Sequence, residues 1–128
     1  MLVPFAVIAS VGLFAISGLC LTITKDATSG TISRNSAIGI RTPETKKSDD
    51  GWVGGHKAAT PILKGAGIVT LVITAVLIIS SFFGDRMTVL TITSAILGYS
   101  VAIGGICWAA VVANNAAKTI NQKKANHA

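Results

Sequence analysis

Polar and charged residues in this chain are gathered into a few segments, and between them lie three long apolar runs. The first, Leu2 to Ile23, holds 22 residues without a charge. As a helix it is ~33 Å long, enough for the ~30 Å hydrocarbon core of a bilayer. The second, Gly65 to Phe83, is 19 residues, or ~28 Å as a helix. Thr60-Pro61 just ahead of it reads as a helix start, with Thr60 as N-cap and Pro61 in the first helical position. Lys64 then falls in the first turn, where its amine reaches the headgroups. Phe83-Gly84-Asp85-Arg86-Met87 is a polar turn too short for anything but a reversal between antiparallel helices. The third run, Met87 to Ala113, is 27 residues. At ~40 Å it exceeds the hydrocarbon thickness and must tilt or project at one end.

The pattern predicts an all-α integral membrane protein, a single domain over 1–128. Its three transmembrane helices are expected at about 2–23, 62–83 and 87–113, with a loop over 24–61 and a tail over 114–128. A secretory leader would need a basic start and a shorter apolar stretch. Ala15-Ile16-Ser17 is a passable cleavage pattern, yet the first run is expected to be retained. Leu19, where a small residue is required, disfavours a lipoprotein site at Cys20.

Composition agrees. The chain is 51% apolar and 12% charged, against about 25% charged in an ordinary soluble domain. The net charge of +6 is distributed unequally. Lys25, Arg34, Arg41, Lys46, Lys47, Lys57 and Lys64 lie between the first two spans, and Lys118, Lys123 and Lys124 lie in the tail. Only Arg86 lies on the opposite side. This bias predicts the N-terminus outside and the C-terminus inside, so that loop and tail are cytoplasmic. Basic residues flanking apolar runs suit anionic lipid, and no nucleic-acid fold signature accompanies them, so no nucleic-acid partner is expected. Cys20 and Cys107 fall toward the inner ends of their helices and are expected as free thiols beside a reducing compartment.

Small residues recur in the third span as Ser94-x3-Gly98, Ser100-x3-Gly104 and Gly105-x3-Ala109-x3-Ala113, and the second opens with Gly65-Ala66-Gly67. They predict close helix packing within the bundle, or a surface for another membrane protein. No carboxylate, histidine or arginine lies in the middle of a span, which counts against a pump or transporter.

The loop holds most of the polar chemistry. Ala27 to Thr31 is expected to be loose and turn-prone. Thr42 before Pro43 is extended or caps a turn. Ser48 is a good N-cap, with Asp49 and Asp50 complementing the helix dipole. A short interfacial helix is predicted from there toward Ala59, before the second span, although Gly51, Gly54 and Gly55 weaken it. Asp49, Trp52 and His56 would share a face, with Trp52 anchored at the membrane interface. Arg41 either pairs with Asp49 or Asp50, or meets a lipid phosphate or a partner's carboxylate. His56 with Asp49 raises a metal site or an acid–base pair, but the ligand set is too thin and no metal is expected. No nucleophile–base set, phosphate loop or cofactor motif is present, so neither enzyme activity nor a cofactor is expected.

The stretch from Asn35 to Lys57 resembles the signature of the SdpI family of bacterial membrane proteins. The residues that carry it are Asn35, Gly39, Arg41, Thr42, Pro43, Thr45, Ser48, Asp49, Trp52, His56 and Lys57. The family's namesake is an immunity protein that protects a toxin-producing bacterium from its own peptide toxin and holds a transcriptional repressor at the membrane. The resemblance implies a protein of the bacterial plasma membrane in immunity or signalling, those residues forming a binding surface for a peptide toxin or a regulatory protein. This chain is shorter than the namesake and has only a small polar tail, so the dual role is not carried over. The other expectation is an accessory subunit packed on a larger membrane complex.

Overall fold

The computed structural model describes residues 2–128, and it is helical with no strand among them. Three long helices follow in order: α1 (Leu2–Ser29), α2 (Asp49–Ser81) and α3 (Thr88–Asn126). Each is long and apolar enough to cross a membrane. A single 3-10 turn, Gly84–Met87, reverses the chain between α2 and α3, and Gly84 supplies the positive φ of 61° that starts it.

All three helices outrun their apolar runs at the end bearing the loop. α1 continues through Ala27, Thr28 and Ser29, where looseness was expected. The hydroxyls of Thr24 and Thr28 donate to the carbonyls four residues back, so these residues satisfy themselves without leaving the helix. Gly30, at φ 74°, then ends it, with the Thr31 and Ile32 amides turning back onto Asp26 O.

The interfacial helix does not exist as a separate element. Residues 49–59 are the opening turns of α2, which runs unbroken for 33 residues. Thr60-Pro61 is therefore not a helix start. Ser48 is the N-cap, its hydroxyl accepting from Gly51 N at 2.9 Å. Pro61 is tolerated inside the helix because Ala59 and Leu63 on either side of it are buried with Ala109 and Ala113 of α3. A neighbouring helix that holds both flanks carries the chain past the missing amide.

The tail is likewise helical. α3 extends 13 residues beyond Ala113 to Asn126, at ~1.5 Å per residue ~20 Å further, because Ala113 and Ala117 are fully buried and Asn114 and Asn121 have partners on the loop. α2 and α3 extend past their apolar runs together, side by side.

The bundle places small residues inside and large ones outside. Ala6, Ala9, Leu13, Leu77 and Ala95 form one core layer, while Ile8 (75% exposed), Phe14 (64%) and Val89 (79%) face outward. Hydrocarbon surroundings favour this distribution, since packing rather than water exclusion holds membrane helices together. A Cβ on Gly98 would lie 2.8 Å from Leu13 Cδ1, and one on Gly105 2.5 Å from Ala66 Cβ. Two of the three small-residue patterns in α3 thus pack within the bundle. The third points away: Ser100 is exposed, and Gly104 has no atom within 4 Å of where a Cβ would stand. Both cysteines are free, Cys20 buried and Cys107 exposed.

Candidate binding site: the folded loop

Between α1 and α2 the chain has no regular structure, yet it is pinned at its centre by a buried histidine. His56, on the second turn of α2, is fully buried. Its Nδ1 lies 2.8 Å from Trp52 O, and the Ile40 amide reaches its Nε2 at 2.7 Å. A backbone amide can only donate, so Nε2 accepts and the proton sits on Nδ1, donated to Trp52 O. Burial pushes the His56 pKa below its ordinary value, opposed by the bond to Trp52 O. A neutral imidazole with one fixed tautomer therefore ties loop to helix.

Gly39 makes that approach feasible. Its φ is 153°, and a Cβ there would stand 2.5 Å from Trp52 Cζ2 and 3.0 Å from His56 Nε2. Only glycine fits both the backbone and the space. Trp52 itself is fully buried, packed with Ala27 and Ile32 and tilted against the His56 ring at 4.3 Å between centroids. The expectation that Trp52 anchors at the membrane interface is corrected: the loop wraps over it, and it serves as the loop's core.

Thr45 closes the next turn. It is fully buried, its Oγ1 donating to Ile40 O at 2.8 Å and accepting from Thr42 N at 2.9 Å. Thr42 turns the chain just before Pro43, whose ring is exposed. The same peptide unit region is thus held from both sides, Ile40 N by His56 and Ile40 O by Thr45.

Arg41 lies outside this core. It is exposed, with its guanidinium 5.8 Å from the centre of a Trp52 ring and one Nη donating to Ser36 O. The expected pairing with Asp49 or Asp50 is not formed. Arg34 takes Asp49, Nε to Oδ1 at 3.1 Å, and Lys124 takes Asp50 at 2.8 Å. The Lys124 bond lowers the Asp50 pKa and Asp50 in turn raises that of Lys124. Asp49 and His56 part ways too, one exposed and ion-paired, the other buried between two backbone groups, so they make no acid–base pair.

α3 completes the fold of the loop. Ser48 Oγ donates to Asn121 Oδ1, and Asn121 Nδ2 donates to Glu44 O at 3.0 Å and Glu44 Oε2 at 3.2 Å. Asn114 Oδ1 accepts from Glu44 N at 3.3 Å. Hydrogen bonds from Lys47, first, and from Asn121 lower the Glu44 pKa. The glycines that weakened the helix prediction line this contact. A Cβ on Gly55 would lie 2.8 Å from Ala113 O, and one on Gly51 2.9 Å from Asn121 Oδ1. Their role is close approach of α2 to α3.

Of the candidate residues, Gly39, Thr42, Thr45, Ser48, Trp52 and His56 thus build the scaffold. Arg41 and Pro43 lie on its surface. Asn35 and Asp49 border a shallow hollow over Trp52, and Lys57 is exposed on α2. Sequence reasoning missed Arg34, Glu44, Asn114, Asn121 and Lys124. The one signal for them was the seven-residue spacing of Asn114 and Asn121, which puts two amides on one helix face.

The family profile of the SdpI/YfhL protein family matches residues 31–113. The chain belongs to the SdpI/YfhL family. The matched stretch takes in the loop, all of α2 and α3 as far as Ala113, while Asn114 and Asn121, which bond Glu44, lie just beyond it. No curated protein and no solved structure gives a significant match.

Proposed function

We propose that this SdpI/YfhL-family protein acts in toxin immunity or membrane signalling, without catalytic activity, at the bacterial plasma membrane. In this reading its N-terminus is outside and its loop and tail face the cytoplasm, as ten basic residues against one favour. The loop is the recognition surface for a peptide toxin or a regulatory protein.

The observation that carries the reading is Arg41. Its guanidinium is exposed, among the described residues it has no carboxylate partner, and it is mounted on a loop fixed by buried hydrogen bonds. A rigid element that presents an unpaired arginine is suited to bidentate recognition of an acidic group. Absence of enzymatic activity is part of the proposal because the one buried histidine has both nitrogens engaged within the fold.

Cells carrying the full chain, challenged with membrane-active peptide toxins, provide the test. Arg41→Gln should lose tolerance at unchanged membrane abundance. Unchanged tolerance at normal expression rejects the reading. A second reading, an accessory subunit of a larger complex, is favoured by the outward face of α3, where Ser100, Gly104 and Trp108 are exposed. Gentle detergent extraction that yields a stoichiometric assembly supports it, and a free monomer counts against it.

A further inference from the structure

Beside the loop, between the second half of α1 and the middle of α3, lies a cleft of about 460 Å³. Its walls are almost wholly apolar: Leu19 and Ile23 from α1, Leu63 from α2, Ile106 from α3, and Ile38 from the loop. Arg41 is the one charged residue on its rim. We propose that this cleft holds one phospholipid with an acidic headgroup, an acyl chain lying between α1 and α3 and the phosphate seated on Arg41.

Position and chemistry both select that occupant. Leu19, Ile38 and Ile106 are partly exposed, so the cleft opens onto the outward surface of helices long enough to cross a membrane, where acyl chains run. An extended apolar peptide would bring backbone amides and carbonyls that this wall cannot satisfy, whereas an acyl chain brings none. At the rim, Arg41 has one donor on Ser36 O and its guanidinium over the Trp52 ring at 5.8 Å, leaving further N–H groups of the fork for a phosphate. The charge around it is uncompensated. Asp49, Glu44 and Asp50 are held by Arg34, Lys47 and Lys124, and the loop, the tail and Lys64 together bring ten basic residues against Asp26, Glu44, Asp49 and Asp50. A zwitterionic headgroup brings its own cation into that field. An acidic one does not, which gives the site its preference.

The site requires neither a toxin nor a regulatory protein, so its test is independent of immunity. The purified full chain in detergent is titrated with phosphatidylglycerol and with phosphatidylcholine of identical chains, and bound lipid is read by native mass spectrometry. Phosphatidylglycerol should bind about tenfold more tightly, because both lipids offer Arg41 the phosphate and only phosphatidylcholine adds a cation to the basic field. Arg41→Gln should abolish the preference, and Lys123→Gln in the tail should keep it. Ile106→Trp narrows the cleft from α3, away from the buried bonds of Ile40 to His56 and Thr45, and should weaken phosphatidylglycerol binding while hydrogen exchange shows the loop intact. Equal binding of the two lipids by the unmodified chain overturns the proposal, as does Ile106→Trp binding phosphatidylglycerol undiminished. Selectivity that persists where immunity assays fail would count against the proposed function alone.

Discussion

Replacing Gly39 by alanine should undock the loop while leaving the three helices in place. The added Cβ would stand 2.5 Å from Trp52 Cζ2, 2.7 Å from Cη2 and 3.0 Å from His56 Nε2. Neither ring can retreat, because both residues are fully buried and His56 is bonded at both nitrogens. Two penalties combine. A side chain at the φ of 153° found here costs on the order of 1–3 kcal/mol, and overpacking a filled site costs about 1–3 kcal/mol. Even the lower sum, ~2 kcal/mol, raises the population of opened loop by about thirtyfold. Hydrogen exchange in detergent reads it directly. The Ile40 amide, bonded to His56 Nε2, should exchange at least tenfold faster in Gly39→Ala, with the amides of α3 unchanged. Iodide quenching of Trp52, measured in a Trp108→Phe background, should rise in parallel. Unaltered Ile40 protection would refute the claim that the loop closes over Trp52 through Gly39.

The same bond makes docking pH-dependent. Once the loop opens, His56 titrates near its ordinary 6.5, and docked it titrates lower, so its contribution is complete above that value and is lost as pH falls through the docked pKa. Ile40 protection, corrected for intrinsic exchange, should therefore be weaker at about pH 5 than at about pH 7.5, and His56→Gln should flatten that dependence. Asn121→Ala removes the partner of Ser48 and Glu44 and should lower the thermal midpoint of the detergent-solubilised protein by an amount equivalent to about 1–3 kcal/mol. Gly55→Leu drives a side chain into Ala113 O and should separate the loop-side halves of α2 and α3, which a disulfide-trapping pair across that contact would report as lost crosslinking. Lys124→Ala, which breaks a pair exposed on both sides, should leave the thermal midpoint unmoved.

The helical architecture was legible in the sequence because apolar runs of membrane length admit few other readings. Helix ends were less so. Thr60-Pro61 looks like a start when only α2 is considered, and only the flank of α3 at Ala109 and Ala113 explains why the helix passes through it. The tail after Ala113 announces α3's continuation only through a thin apolar stripe, Ala113, Ala117 and Ile120. The rest of its order comes from Asn114 and Asn121 meeting Glu44, a partner 70 residues and more away. In the loop, the residue types at Gly39, Thr45, Ser48, Trp52 and His56 marked the site, but roles did not follow from type. A tryptophan beside a membrane span suggested an interface anchor, while its burial depends on the chain from 27 to 41 folding over it. Asp49 or Asp50 was one of the partners open to Arg41, yet Arg34 and Lys124 take those carboxylates, Arg34 because the turn ending α1 at Gly30 brings it back toward the start of α2.

The proposed placement of the loop in the cell interior is tested most directly by cysteine labelling in intact cells, with Cys20 and Cys107 replaced by alanine. Lys46→Cys should react with a membrane-impermeant maleimide only after permeabilisation, and Arg86→Cys, in the turn at the opposite end, should react before it. Lys46→Cys labelled in intact cells, with Arg86→Cys protected, would contradict the account and turn Arg41 toward the outside.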